Sequence, residues 1–72
     1  MATIVKVEIK DEYVTLGQFL KLADIISSGG EAKLFLKGNE VLVNDEKDDR
    51  RGRKLYKGDL IKTAGKVYEI CR

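Results

Sequence analysis

The sequence predicts a compact α+β fold: a strand, two helices, then several strands. Three observations carry that expectation. Residues 3–10 alternate apolar and polar side chains, the middle of the chain holds two helix-start signatures with apolar faces, and the second half returns to short apolar runs between turn residues. A chain of 72 residues buries only about 60% of its unfolded surface, which suits one domain over residues 1–72 with a single small core.

Each element has its own warrant. Val5, Val7 and Ile9 alternate with Lys6, Glu8 and Lys10, the period of a half-buried strand over 3–10. Asp11, Glu12 and Tyr13 read as a break. Thr15-Leu16-Gly17-Gln18 is a capping box, followed by Leu16, Phe19, Leu20 and Ala23 on one helical face, with the helix ending near Ile25-Ile26. Ser28-Gly29-Gly30-Glu31 reads as a second capping box. Ala32, Phe35 and Leu36 form the apolar face of that second helix, and Gly38 or Asn39 is expected to supply a left-handed stop. Val41-Leu42-Val43 reads as a strand, Asn44-Asp45 as the start of a turn, and Leu60–Thr63, Ala64-Gly65 and Lys66–Ile70 as a closing hairpin.

Missing residue types exclude whole classes of chemistry. There is no His and one Cys, Cys71, so a four-ligand zinc site cannot be assembled and no metal or cofactor is expected. Ser-His and Cys-His nucleophile pairs are excluded for the same reason. Asp59 after Gly58 reads as a turn carboxylate bonded to backbone, since no catalytic partner for it can be named. An enzyme is not expected. A lone Cys forms no intramolecular disulfide, the longest apolar runs are three residues, and residues 1–10 lack a signal-peptide core. The expectation is a cytoplasmic protein that does not enter membranes.

Charge is informative by placement rather than by total. Fourteen Lys and Arg against twelve Asp and Glu leave a net charge of only +2. Five of the positive charges fall within eight residues, at Arg50, Arg51, Arg53, Lys54 and Lys57, with Tyr56 among them. Guanidinium groups at such spacing suit phosphate oxygens, and an aromatic can stack on a base. The alternative is a solvated loop whose arginines pair with Asp45, Glu46, Asp48 and Asp49 just upstream. A second basic feature lies on the second helix, where Lys33 and Lys37 stand about 40° apart beside Gly29-Gly30. A helix start offers free amides to a phosphate, unless Ser28 and Glu31 already occupy them.

The segments Leu16–Ala23, Ser28-Gly29-Gly30-Glu31-Ala32-Lys33, Val41-Leu42-Val43-Asn44 and Lys57-Gly58-Asp59-Leu60-Ile61 together resemble the S4-type RNA-binding domain, also called the alpha-L motif. The resemblance covers about Val14 to Ile70 and is strongest to the small stand-alone bacterial members, the YaaA-like proteins. It implies two helices on a small, mostly antiparallel sheet and binding of structured RNA, such as ribosomal or tRNA-like RNA. It also implies contact through Lys33 and Lys37 on the second helix and through Arg50, Arg51, Arg53 and Lys54 in the loop before the Gly-Asp turn. Two departures stand out: Gly29 where many members carry Arg, and Asp45 where many carry Gly. The expected function is docking on ribosomal RNA or an assembling subunit, as a monomer and without catalysis. The competing class is a protein-interaction module for ribosomal or RNA-processing proteins.

Overall fold

The computed structural model describes residues 3–72. Its elements are β1 (Ile4–Glu8), β2 (Tyr13–Thr15), α1 (Leu16–Leu22), α2 (Glu31–Gly38), β3 (Leu42–Val43), β4 (Glu46–Lys47), β5 (Lys54–Tyr56), β6 (Leu60–Thr63) and β7 (Lys66–Cys71). Five strands form one sheet in the order β1-β7-β6-β3-β4, and β2 pairs with β5 in a separate two-stranded sheet. Only β1 against β7 is parallel; every other pair is antiparallel. The α+β expectation with a mostly antiparallel sheet therefore holds. No helix among the described residues is long and apolar enough to cross a membrane.

The core is a single buried cluster. Phe19, Leu16 and Leu20 from α1 meet Leu55, Ile61, Ile70, Val41 and Val43 from the strands and the approach to β3, all of them less than 2% exposed. Tyr68 stands edge-on to Phe19, with ring centroids 5.4 Å apart and planes at 81°, the geometry that the ring quadrupoles favour. Val7 and Ile9 are buried from β1 and its continuation while Lys6 and Glu8 are exposed, as the alternation requires.

Turns explain the strand order. Ala64 (φ 52°) and Gly65 (φ 75°) both sit in the left-handed region between β6 and β7, and Asn44 (φ 52°) with Asp45 (φ 68°) does the same between β3 and β4. Two such residues make a type I′ turn, whose twist matches that of the flanking strands. Asn44 also links distant segments: its Nδ2 donates to Asp59 Oδ1 at 3.2 Å, and its Oδ1 accepts from the Leu60 amide at 3.0 Å. Asp59 Oδ2 accepts from the Tyr56 amide at 2.7 Å, which is the turn role read for that carboxylate.

Four local expectations are corrected. α1 stops at Leu22 rather than near Ile25-Ile26, because Asp24 takes φ 62° and the chain closes a Schellman motif. The Asp24 amide there donates to Lys21 and the Ile25 amide to Leu20. The second capping box does not form: Gly30 is the N-cap and no side chain caps α2. The stop of α2 is extended rather than left-handed. Asn39 sits at φ −134°, and both its backbone N–H and its Nδ2 donate to the Phe35 carbonyl at 2.9 and 3.0 Å. Finally, Tyr13, read as part of a break, and Lys54, read as part of a loop, lie in short strands: Tyr13–Thr15 and Lys54–Tyr56 pair with each other as β2 and β5.

Candidate nucleic-acid interface

The basic segment is shaped first by one carboxylate. Asp48, whose side chain is 5% exposed, accepts from the Arg50 amide (2.9 Å), Arg50 Nε (3.1 Å), Arg50 Nη2 (2.9 Å) and Arg53 Nη1 (2.9 Å). The Arg50 side-chain bonds, with the Arg50 amide and Arg53 adding to them, hold the Asp48 carboxyl well below the usual carboxylate range. The same bonds push the Arg50 guanidinium up. The upstream-acid reading of the segment is thus the observed one for Arg50 and Arg53.

Backbone bonds then tie the segment to α1. The amides of Leu16 and Gly17 donate to the carbonyls of Arg53 (2.7 Å) and Arg51 (3.0 Å), and the Gln18 amide donates to Thr15 Oγ1 (3.3 Å). The first three amides of α1 are therefore satisfied within the protein, two of them by the basic segment itself. Gly17 sits at this approach. A Cβ there would already touch the Arg51 carbonyl at 3.5 Å and the Ala32 Cβ at 3.6 Å, so a longer side chain would push the loop or α2 away.

This packing places two of the sequence-predicted residues, Gly29 and Arg51, at one hollow and Lys37 at another, while Gly30, Arg50 and Arg53 line neither. The first, about 430 Å³, is lined by Gln18 and Lys21 of α1, Gly29 before α2, and Arg51 and Gly52 of the segment. Its charged lining residues are both cations. The second, about 350 Å³, brings Lys37 and Lys47 together with Glu40, Asp48 and Asp49. There the acids outnumber the lysines. Lys33 is exposed on α2 and lines neither hollow. Lys54 lies on β5 with its ammonium 4.9 Å from the centre of the Tyr13 ring, which packs in turn against Tyr56 at 5.9 Å.

The helix start at Gly29-Gly30 is less open than its composition suggests. The Glu31 and Ala32 amides already donate to the Ser28 and Gly29 carbonyls at 3.1 and 3.2 Å. Both glycines remain exposed, with no atom beyond the adjoining residues of the chain within 4 Å of where a Cβ would stand. They leave room for a ligand, while two of the helix-start amides, those of Glu31 and Ala32, are already used. A lining residue that sequence reading did not single out is Lys21. Its signal was weak, a lone lysine on α1, and only the seating of Arg51 against α1 puts the two cations around one hollow.

A model of the S4 domain family matches residues 7–71. The chain belongs to the S4 domain family. It is also 64% identical over 59 residues, 82% of this chain and 83% of the relative, to the "Probable ribosome maturation protein RlbA" of Bacillus subtilis (strain 168). In this S4 domain, two motif segments that carried the resemblance, Val41–Asn44 and Gly58-Asp59, are the ones joined by the Asn44–Asp59 bond. Those residues build the scaffold. The cation-lined hollow lies on its helical side, between α1, the approach to α2 and the basic segment.

Proposed function

We propose that this chain is an RNA-binding protein that docks on folded RNA during ribosome maturation and carries out no chemistry of its own. The observation that carries the reading is the hollow in which Lys21 and Arg51 are the charged lining and whose wall is fixed to α1 through backbone bonds. Arg51 offers a fork of donors to one phosphate and Lys21 a point charge to a second. Gly29 and Gly52 keep side chains out of the way of an approaching backbone. Membership of the S4 domain family supports RNA as the ligand, and the ribosome maturation role in the relative's name supports ribosomal RNA or an assembling subunit in the cytoplasm. Recognition is by shape and phosphate position, because base edges in A-form helices are poorly accessible to side chains.

Affinity for a folded ribosomal RNA fragment, compared with an unstructured strand of equal length, tests this. Lys21, Lys33, Arg51 and Lys54 make no ion pair among the described residues. Four such cations on phosphates give a log–log salt slope of about −2.8 to −3.6. The folded fragment should win clearly. Equal affinity for both RNAs, or a slope near zero, would overturn the reading and favour a protein-interaction module.

A further inference from the structure

The five-stranded sheet ends on β1, and that edge is open. β1 pairs only with β7, and its register runs Ile4↔Val67 to Glu8↔Cys71. The Ile9 amide donates to the Cys71 carbonyl at 2.8 Å, so odd-numbered residues turn their backbone groups toward β7. In a parallel ladder, alternate residues face opposite sides. Ile4, Lys6 and Glu8 therefore aim their N–H and C=O groups away from the sheet. The usual guards of such an edge are a proline, a covering helix, a very short strand or charged side chains; β1 carries the last, in Lys6 and Glu8, which are opposite in sign and so can pair with a second copy. The chain has no proline, β1 is five residues long, and Ile4 is 53% exposed on it.

We propose that β1 is a self-association edge, where two copies of this chain pair β1 antiparallel to β1 about a two-fold axis at Val7. Among two-fold axes that fall within β1, the charges favour that register. With the axis at Val7, Lys6 of each copy stands opposite Glu8 of the other, and Ile4 stands opposite Lys10. These even-numbered residues are the ones whose backbone groups face outward, so each Lys6–Glu8 position is also a hydrogen-bonded pair. Moving the axis to Lys6 sets Lys6 against Lys6, and moving it to Glu8 sets Glu8 against Glu8 and Lys6 against Lys10. An axis at Val5 sets Ile4 against Lys6 and shortens the overlap. Like charges directly opposite are unfavourable and opposite charges favourable. Lys6 already neighbours Glu69 on β7, so in the pair it lies between two carboxylates. A closed two-fold contact uses up the edge on both copies and stops growth there.

The test is sedimentation velocity of the RNA-free protein over a range of concentrations at low salt. The wild type should shift reversibly toward a dimer as concentration rises. Glu8→Lys sets the introduced lysine of each copy against Lys6 of the other and should weaken the dimer by about tenfold. Lys6→Glu should do the same, by setting its new carboxylate against Glu8. An equimolar mixture of the two variants should recover a heterodimer, and the double exchange Lys6→Glu with Glu8→Lys should restore the homodimer. Lys6→Glu also faces Glu69 in its own sheet, so circular dichroism must show each variant folded. Amide hydrogen exchange of the wild type gives a readout free of substitutions. The Lys6 and Glu8 amides should become protected as concentration rises. A protein that stays monomeric into the millimolar range, or amides whose exchange ignores concentration, would overturn the proposal. A double exchange as weak as the single ones would overturn the register.

Discussion

The two hollows beside the basic segment differ in one respect that decides what each can do. Around the α1 hollow, Lys21 and Arg51 share the lining with glycines and no acid. Around the α2 end, Lys37 and Lys47 share the space with Glu40, Asp48 and Asp49. Both hollows contain lysine, and both border the same run of sequence. A phosphate approaching the first would meet two cations that make no ion pair among the described residues. One approaching the second meets three carboxylates, and Lys47 is already 3.8 Å from Glu40. The comparison teaches that a basic run is not a basic surface. Its charges count only after the acids that fold back on them are subtracted.

The largest expected effect breaks or keeps this contrast directly. Lys21→Ala with Arg51→Ala should lower affinity for folded RNA by about 100-fold or more, since each charge-assisted bond contributes roughly 1.5–3 kcal/mol. Lys37→Ala with Lys47→Ala removes the same formal charge and should cost less than about threefold, the loss of long-range attraction alone. Fluorescence anisotropy at fixed salt measures both. Equal losses would mean that net charge, not the α1 hollow, governs binding.

The second effect is on stability and belongs to the other side of the contrast. Asp48→Asn leaves the fold of residues 48–53 without the carboxylate that organises it, and replaces charge-assisted bonds with weaker neutral ones. The loss should be about 1–3 kcal/mol of unfolding free energy. Urea denaturation reads it. A midpoint unchanged from wild type would show that Asp48 is a bystander. Acid should act on the wild type as the substitution does. The native carboxyl titrates below its unfolded value of about 3.9, so its contribution is complete above that pH and fades as pH falls further. The stability gap between wild type and Asp48→Asn should be constant from pH 7 to about 5 and close below about pH 4. A gap that closed between about pH 5 and 7 would assign the effect to another group.

Much of this was legible in the sequence, and the failures have physical causes. The Thr15–Gln18 capping box, the β6–β7 hairpin and the α1 face formed as read, because each rests on residues close to one another along the chain. Pairing of β2 with β5 was invisible, since Tyr13–Thr15 and Lys54–Tyr56 are three residues each and acquire strand geometry only from each other. Asp24 ends α1 in a conformation usually given to glycine, so the residue type misled. For the site, Arg51 and Gly29 were identified and do line one hollow, while Lys21 was missed. Charge sign is local in sequence; which cation stays unpaired is decided by tertiary contacts.

The smallest expected effect is the most selective. Arg50 and Arg53 carry two of the five positive charges in the run, yet both are bonded to one carboxylate at 2.9 Å. The Arg50 side chain is 70% exposed and that of Arg53 29%, so Arg50 is the one a phosphate could reach. Doing so would require it to leave Asp48 or to share its fork, and the gain would be offset by the bond given up. Arg50→Ala should therefore weaken RNA binding by less than about threefold, whereas Arg51→Ala alone should weaken it by about tenfold or more. In an Asp48→Asn background the order should tighten, because Arg50 is then released, and Arg50→Ala should become more harmful there than in the wild type. Measured as a double-mutant cycle, the Asp48–Arg50 coupling for RNA affinity should be nonzero and larger than that of Asp48 with Arg51, which Asp48 touches only through the fold of the segment. If Arg50→Ala costs as much as Arg51→Ala in the otherwise unchanged protein, the ion pair opens on binding. Asp48 would then be a release device rather than a clamp.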